Sequence, residues 1–238
     1  MTETFHFEQT ADGSTTLRPS NGEAMHSSHG AFAETVYIYG NALNQARATL
    51  GHEPHVLSVG LGLGYIEALA AASAGAQGSS PTGASYEASS ELREHFKDWI
   101  LGRKVEPAFA ACYTDIFTRS AALVSLSPDF VRLTLAQAIA DGQWTLQAAL
   151  DADVKFDRTF DCICFDAYSA KTSPELWNER FLEAFLHKAC SSPCVFASYA
   201  RTGALTRALG AEGFTTNPRE GFAGKRESTL ATRAAASS

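Results

Sequence analysis

Short apolar runs, each closed by a glycine, a turn residue or an acid, alternate along this chain with longer stretches in which apolar positions recur every three or four residues. His55-Val-Leu-Ser-Val59 reads as a strand buried on both faces, followed at once by Gly60-Leu-Gly-Leu-Gly64 and an Ala-rich helix over 65–73 that stops before Gly75. A second short strand over 84–87 ends on Glu87, and a helix over 89–100 opens with the capping residues of Ser89-Ser-Glu-Leu92. Further on, the pattern predicts a strand over 131–135, a turn at Asp141-Gly142, a helix over 144–150 and a strand over 160–166. A long helix over 174–190, a strand over 194–199, a helix over 202–209 and a terminal hairpin over 214–230 follow, with a frayed Ala/Ser tail from Ala231. The beginning is less regular. Residues 1–20 read as a loose strand or tail, 21–33 as a loop, and 35–39 either as a strand or as the opening of a helix over 41–50 that Gly51 ends. The 101–130 segment, punctuated by Pro107 and Pro128, shows only an indistinct helical pattern. Strands alternating with helices imply an α/β domain wound around a parallel sheet with right-handed crossovers.

Composition narrows the class without changing that picture. The 238 residues are 45% hydrophobic, enough for one substantial core. No apolar run approaches the length that spans a bilayer and no basic leader precedes one, so the expectation is a cytoplasmic protein without a membrane segment. The five cysteines (Cys112, Cys162, Cys164, Cys190, Cys194) fit no metal-ligand spacing and read as buried thiols, with no metal expected. A net charge of −7 argues against a protein that coats nucleic acid, because phosphate neutralisation needs concentrated cations. A local basic patch is still possible, its candidates being Arg201, Arg207, Arg219, Lys225, Arg226 and Arg233.

Three features carry candidate chemistry. Gly60, Gly62 and Gly64 stand between a strand and a helix, where missing side chains let backbone amides approach a nucleotide-like ligand. Glu87 ends the next strand at the separation where Rossmann-type proteins set an acid on ribose hydroxyls, although capping the following helix is the plainer role. Asp166 ends a later strand, at the carboxyl edge where such sheets bind ligands, and Tyr168 lies beside it. The glycine spacing fits a methyltransferase somewhat better than a dinucleotide enzyme. Two rivals stay open: a nicotinamide dehydrogenase, for which no hydride-transfer residues are visible, and a catalytically silent binding module of the same fold.

The stretch Phe165-Asp-Ala-Tyr-Ser-Ala-Lys-Thr-Ser-Pro-Glu-Leu-Trp177 resembles a signature of the MnmC-like methyltransferases that modify the tRNA wobble uridine. Gly22–Ser27, Gly30–Glu34, Tyr39–Leu43, Tyr199–Leu209, Glu212–Phe214 and Gly221–Glu227 continue the likeness, in the same order, over roughly residues 20–230. The resemblance implies a Rossmann-like class I methyltransferase sheet over 51–238, with residues 1–50 as a small N-terminal extension contributing to the cofactor pocket. It further implies S-adenosyl-L-methionine as methyl donor and the amine of 5-aminomethyl-2-thiouridine in tRNA as acceptor. Asp166 would be catalytic; Glu34, Gly60, Gly62, Gly64, Glu87 and Asp141 would line the cofactor. Tyr168, Lys225 and Arg226 would meet the substrate. Departures are Ala170 in place of a common proline, the inverted Asp141-Gly142 order and the missing FAD oxidase domain, so the expected form is a stand-alone methyltransferase.

Overall fold

The computed structural model describes residues 5–19, 22–217, 219–224 and 227–235. The chain opens with a hairpin of β1 (Phe5–Gln9) and β2 (Thr15–Pro19), not with a loose tail. Phe7 packs edge-on against Phe109, and Leu17 is buried in the main core, so the hairpin is anchored by apolar contact. Its turn also caps the next helix. Thr10 Oγ1, Ser14 Oγ and Asp12 Oδ2 accept from the amides of Ala31, Phe32 and Ala33 at 3.2, 3.0 and 3.0 Å, which satisfies donors a helix start leaves unpaired.

That helix is α1 (Ala31–Thr35), which runs through a wide π-type turn (Val36–Gly40) into α2 (Asn41–Leu50). The 35–39 segment is thus helical, and its β-branched residues reflect burial, with Ile38 and Tyr39 inside the core. Then come β3 (His55–Val59), α3 (Tyr65–Ala76), β4 (Thr82–Tyr86) and α4 (Ser90–Ile100), the last capped by Ser89 Oγ accepting from Leu92. The indistinct 101–130 segment forms α5 (Pro107–Ala122) and the start of α6 (Pro128–Ala140).

Two expected elements are reversed. Residues 131–135 are not a strand: they lie in α6, where Ser127 caps the start, Pro128 opens the first turn and Val131, Leu135 and Ala138 form one buried face. The alternation of Val131, Leu133 and Leu135 fits both periods; Leu133 is exposed. Residues 144–150 are not a helix. Trp144–Gln147 is β5, paired with β4, and the Trp144 indole donates to Ser85 Oγ at 2.9 Å.

The remaining elements are β6 (Phe160–Phe165), α7 (Pro174–Trp177), α8 (Glu179–Ala189), β7 (Cys190–Ser198), α9 (Gly203–Ala211), β8 (Thr215–Asn217) and β9 (Thr229–Arg233). The long helix expected over 174–190 is divided at Asn178, whose side chain caps α8 by accepting from Phe181. The terminal hairpin forms as β8 and β9, and Ala231, expected to fray, is buried opposite Phe196.

The seven-stranded sheet has the order β5-β4-β3-β6-β7-β9-β8, parallel from β5 to β7. Successive side chains of its strands face opposite layers. Val56, Cys162 and Cys164 meet the layer of α2 to α6, while Leu57, Val59, Ile163 and Phe165 meet α8 and α9. The i,i+2 spacing of Cys162 and Cys164 is therefore a core face, and all five cysteines are buried free thiols. Winding order reverses between β3 and β6, the place where open α/β sheets leave a crevice at their carboxyl ends. No helix among the described residues is long and apolar enough to cross a membrane.

Candidate active site

A cavity of about 470 Å³ occupies that crevice, within the range of small-molecule sites. Its floor is the strand ends: Val59 and Gly60 after β3, Tyr86 and Glu87 after β4, Asp166 after β6 and Tyr199 after β7. Its front wall is the N-terminal segment, with Glu23, Met25, His26, Ser27, Glu34 and Tyr39.

The glycine loop forms because backbones crowd there. Gly60 has φ +92°, and a Cβ on it would stand 2.5 Å from the carbonyl oxygen of Asp166. Gly62 lines the cavity and faces Met25, whereas Gly64 lies behind it: a Cβ at Gly64 would fall 2.0 Å from the Phe96 ring. Gly64 thus serves the packing of α3 on α4, and of the three glycines Gly60 and Gly62 line the cavity.

Glu87 lines the cavity and braces the backbone on two sides of it. One carboxylate oxygen accepts from the amide of Gly62 at 3.0 Å, and the other from the amide of Ser89 at 2.9 Å, at the start of α4. Glu34, buried in α1, accepts from the amide of Ser27 at 2.7 Å and lines the same cavity. Asp141 does not join them. It sits in the turn between α6 and β5, at the end of the strand away from the crevice, and accepts from Gln137 Nε2 at 2.8 Å. Asp-Gly there is turn chemistry, and the cavity wall beyond β5 is Ala149 and Leu150.

Asp166 follows β6, its amide donating to Val59 O at 2.8 Å and its Oδ1 accepting from the Tyr39 hydroxyl at 2.7 Å. Burial, reinforced by the Asp166 charge, raises Tyr39 well above the ordinary phenol value, so this hydroxyl stays a donor. Tyr168 lines the cavity, and its carbonyl is held by the Trp177 indole at 2.6 Å. Trp177 packs edge-on against Phe165, which gives the tryptophan of the 165–177 stretch a structural role in shaping the loop.

Glu23 was legible only as part of a motif. It accepts from Ser169 Oγ at 2.6 Å and from Thr172 Oγ1 at 3.2 Å, tying the N-terminal wall to the loop after β6. Five lining residues are acids (Glu23, Glu34, Glu87, Asp166, Glu175), and no described lining residue is Lys or Arg. Among the described residues no cluster of three metal-ligating side chains occurs.

The basic candidates lie elsewhere. Arg201 pairs with Glu227 at 2.6 Å and Arg207 with Glu179 at 2.7 Å. Arg219 stacks over the Tyr37 ring at 4.2 Å, and Arg233 donates to Ser191 O at 2.6 Å. Lys225 and Arg226 lie outside the described residues.

Residues 103–234 match a family described as S-adenosyl-L-methionine-dependent methyltransferase. A stretch of 95 residues, 40% of the chain, is 33% identical to the tRNA 5-methylaminomethyl-2-thiouridine biosynthesis bifunctional protein MnmC of Burkholderia thailandensis, and spans 13% of that protein's length. In fold the chain is similar to MNMC2 from Aquifex aeolicus, with a TM-score of 0.65 and 20% identity, covering 98% of this chain and 72% of that one. It is also similar to spermidine synthase from Thermotoga maritima, with a TM-score of 0.52 and 14% identity over 97% and 69% of the two chains. The fold is that of the class I methyltransferases.

Proposed function

This chain belongs to the S-adenosyl-L-methionine-dependent methyltransferase family, and from that premise we propose that it N-methylates 5-aminomethyl-2-thiouridine at a tRNA wobble position. The family assignment sets the dehydrogenase alternative aside. What remains is the acceptor and the residues that serve it.

The cavity fits the methyl donor on its own chemistry: a glycine loop whose close approach a Cβ at Gly60 would forbid, beside carboxylates suited to hydroxyl and ammonium groups. Glu87 would accept from ribose hydroxyls while bracing the loop, Glu34 would hold the amino group, and Gly60 and Gly62 would pass close to the donor. When bound, the donor supplies a methyl group on a sulfonium, open to in-line attack by a neutral amine. Asp166 would orient that amine and take the proton an alkylammonium must lose before it can attack. Tyr168 would pack against the base, as aromatic rings do with unstacked nucleotides. Lys225 and Arg226 would meet the tRNA backbone.

The observation that carries this reading is the contact between the glycine loop and Asp166. Gly60 lies against the Asp166 backbone, so the glycine loop is packed on the start of the segment that carries Asp166, which supports a fixed register between donor and acceptor groups. Methyl transfer needs such registry, since the reacting atoms must come within about 3–3.5 Å in line.

A second reading has its own support. The acid-lined cavity and the engagement of Arg201, Arg207, Arg219 and Arg233 within the chain favour a small alkylamine over a polyanionic tRNA. Labelled S-adenosyl-L-methionine offered with under-modified tRNA, and separately with aliphatic diamines, decides between them. Label in the nucleoside supports the first reading; label only in the diamines replaces it with the second.

A further inference from the structure

The π-type turn between α1 and α2 places a tyrosine in the site that no sequence motif assigns to chemistry. Wide turns of this kind cost helical regularity and are frequent at functional positions. Here the turn carries Tyr39 into the cavity wall, where its ring is buried and its hydroxyl joins two strand ends. The hydroxyl donates to Asp166 Oδ1 at 2.7 Å, and its oxygen accepts from the amide of Tyr199 at 3.3 Å, beyond β7. A second acceptor, Phe165 O, lies at 3.4 Å, so the one hydroxyl proton is directed to the much nearer carboxylate. The backbone donor from Tyr199 takes up a lone pair and turns the proton toward Asp166.

We propose that Tyr39 is the positioning residue for Asp166: through this hydrogen bond it sets the rotation of the carboxylate and favours its ionised form for the acceptor amine. The proposal rests on the reading of Asp166 as the group that meets the acceptor. A short charge-assisted bond from a buried donor limits the rotation of a carboxylate about its terminal torsion. The same bond stabilises the charged carboxylate over its protonated form. Among the described residues, the other titratable groups near Asp166 are Cys164 in β6 and Tyr199 just beyond β7, with Glu23 and Glu34 on the front wall of the cavity. The thiol is held neutral by its hydrogen bond with Cys162 and by burial, the second phenol by burial, and the Tyr39 hydroxyl donates to the Asp166 carboxylate.

The test is the Tyr39→Phe variant, which keeps the ring and removes only the hydroxyl. Carbon-13 NMR of labelled aspartate in the free protein, with the Asp166 carboxyl assigned by its absence in Asp166→Asn, reads the titration without any substrate. The expected result is a midpoint raised by about 0.5–1 pH unit in Tyr39→Phe. With under-modified tRNA as acceptor, kcat should fall about tenfold while KM and S-adenosyl-L-methionine affinity stay within about twofold, the pattern of a misaligned catalytic group. A Tyr39→Phe protein with the wild-type midpoint and wild-type kcat, beside an inactive Asp166→Asn, overturns the role of Tyr39 alone. An Asp166→Asn variant that methylates at the wild-type rate overturns the functional reading, and the role of Tyr39 falls with it.

Discussion

Glu87 and Gly62 come from different strand ends and meet through one hydrogen bond, with the carboxylate accepting the glycine amide at 3.0 Å. The acid beyond β4 therefore shapes the loop beyond β3 as well as facing the cavity. Replacing Glu87 by Ala should raise the dissociation constant for S-adenosyl-L-methionine at least tenfold, since a charge-assisted bond contributes about 1.5–3 kcal/mol. The melting temperature should fall too, because the amides of Gly62 and Ser89 lose their acceptor. Calorimetric titration and thermal melting on one preparation check this; unchanged affinity with lowered stability would restrict Glu87 to bracing.

Gly60 marks the tightest passage in the site. Gly60→Ala forces a side chain onto φ +92° and toward the Asp166 carbonyl, so the loop or β6 must move. A stability loss of about 2 kcal/mol or more is expected, with loss of methyl transfer even in molecules that remain folded. Denaturant unfolding and specific activity check both parts, and a stable, active Gly60→Ala variant would refute the registry between loop and carboxylate.

Glu67 introduces a pH dependence. This residue of α3 is fully buried and accepts from Ser85 Oγ at 2.6 Å, and burial pushes its carboxyl up from 4.5 to about 7. Between those values the folded chain keeps a proton that the unfolded chain has lost, so stability falls as pH rises and levels off above 7. Glu67→Gln removes this penalty. Its stability relative to wild type should improve by about 1–3 kcal/mol on going from pH 5 to pH 8, read from urea unfolding at both; parallel pH profiles for the two proteins would contradict it.

Much of the frame was legible because its signals are local. β3, the glycine loop and Glu87 follow from an apolar run, three glycines and a strand-end acid within 33 residues of chain, His55 to Glu87. The cap at Ser89 likewise sits beside the helix it starts. What escaped depends on distant partners. Tyr39 meets Asp166 across 127 positions, and Glu23 meets Ser169 across 146, so neither contact leaves a trace in spacing. Trp144 belongs to a strand because it pairs with Gly83 and donates to Ser85, partners far off in the chain. Asp141 was implied only by resemblance, through an inverted Gly-Asp order, and in this chain it ends α6.

In the proposed reaction Asp166 serves methyl transfer to an amine and not donor binding or folding. Single-turnover transfer of labelled methyl from S-adenosyl-L-methionine to 5-aminomethyl-2-thiouridine in tRNA, by wild type and Asp166→Ala, tests it most directly. The expected result is label in that nucleoside with the wild type, and a rate lower by about a hundredfold or more in the variant, with donor affinity within a few-fold and an intact fold. A variant that binds the donor, stays folded and methylates at the wild-type rate would contradict it.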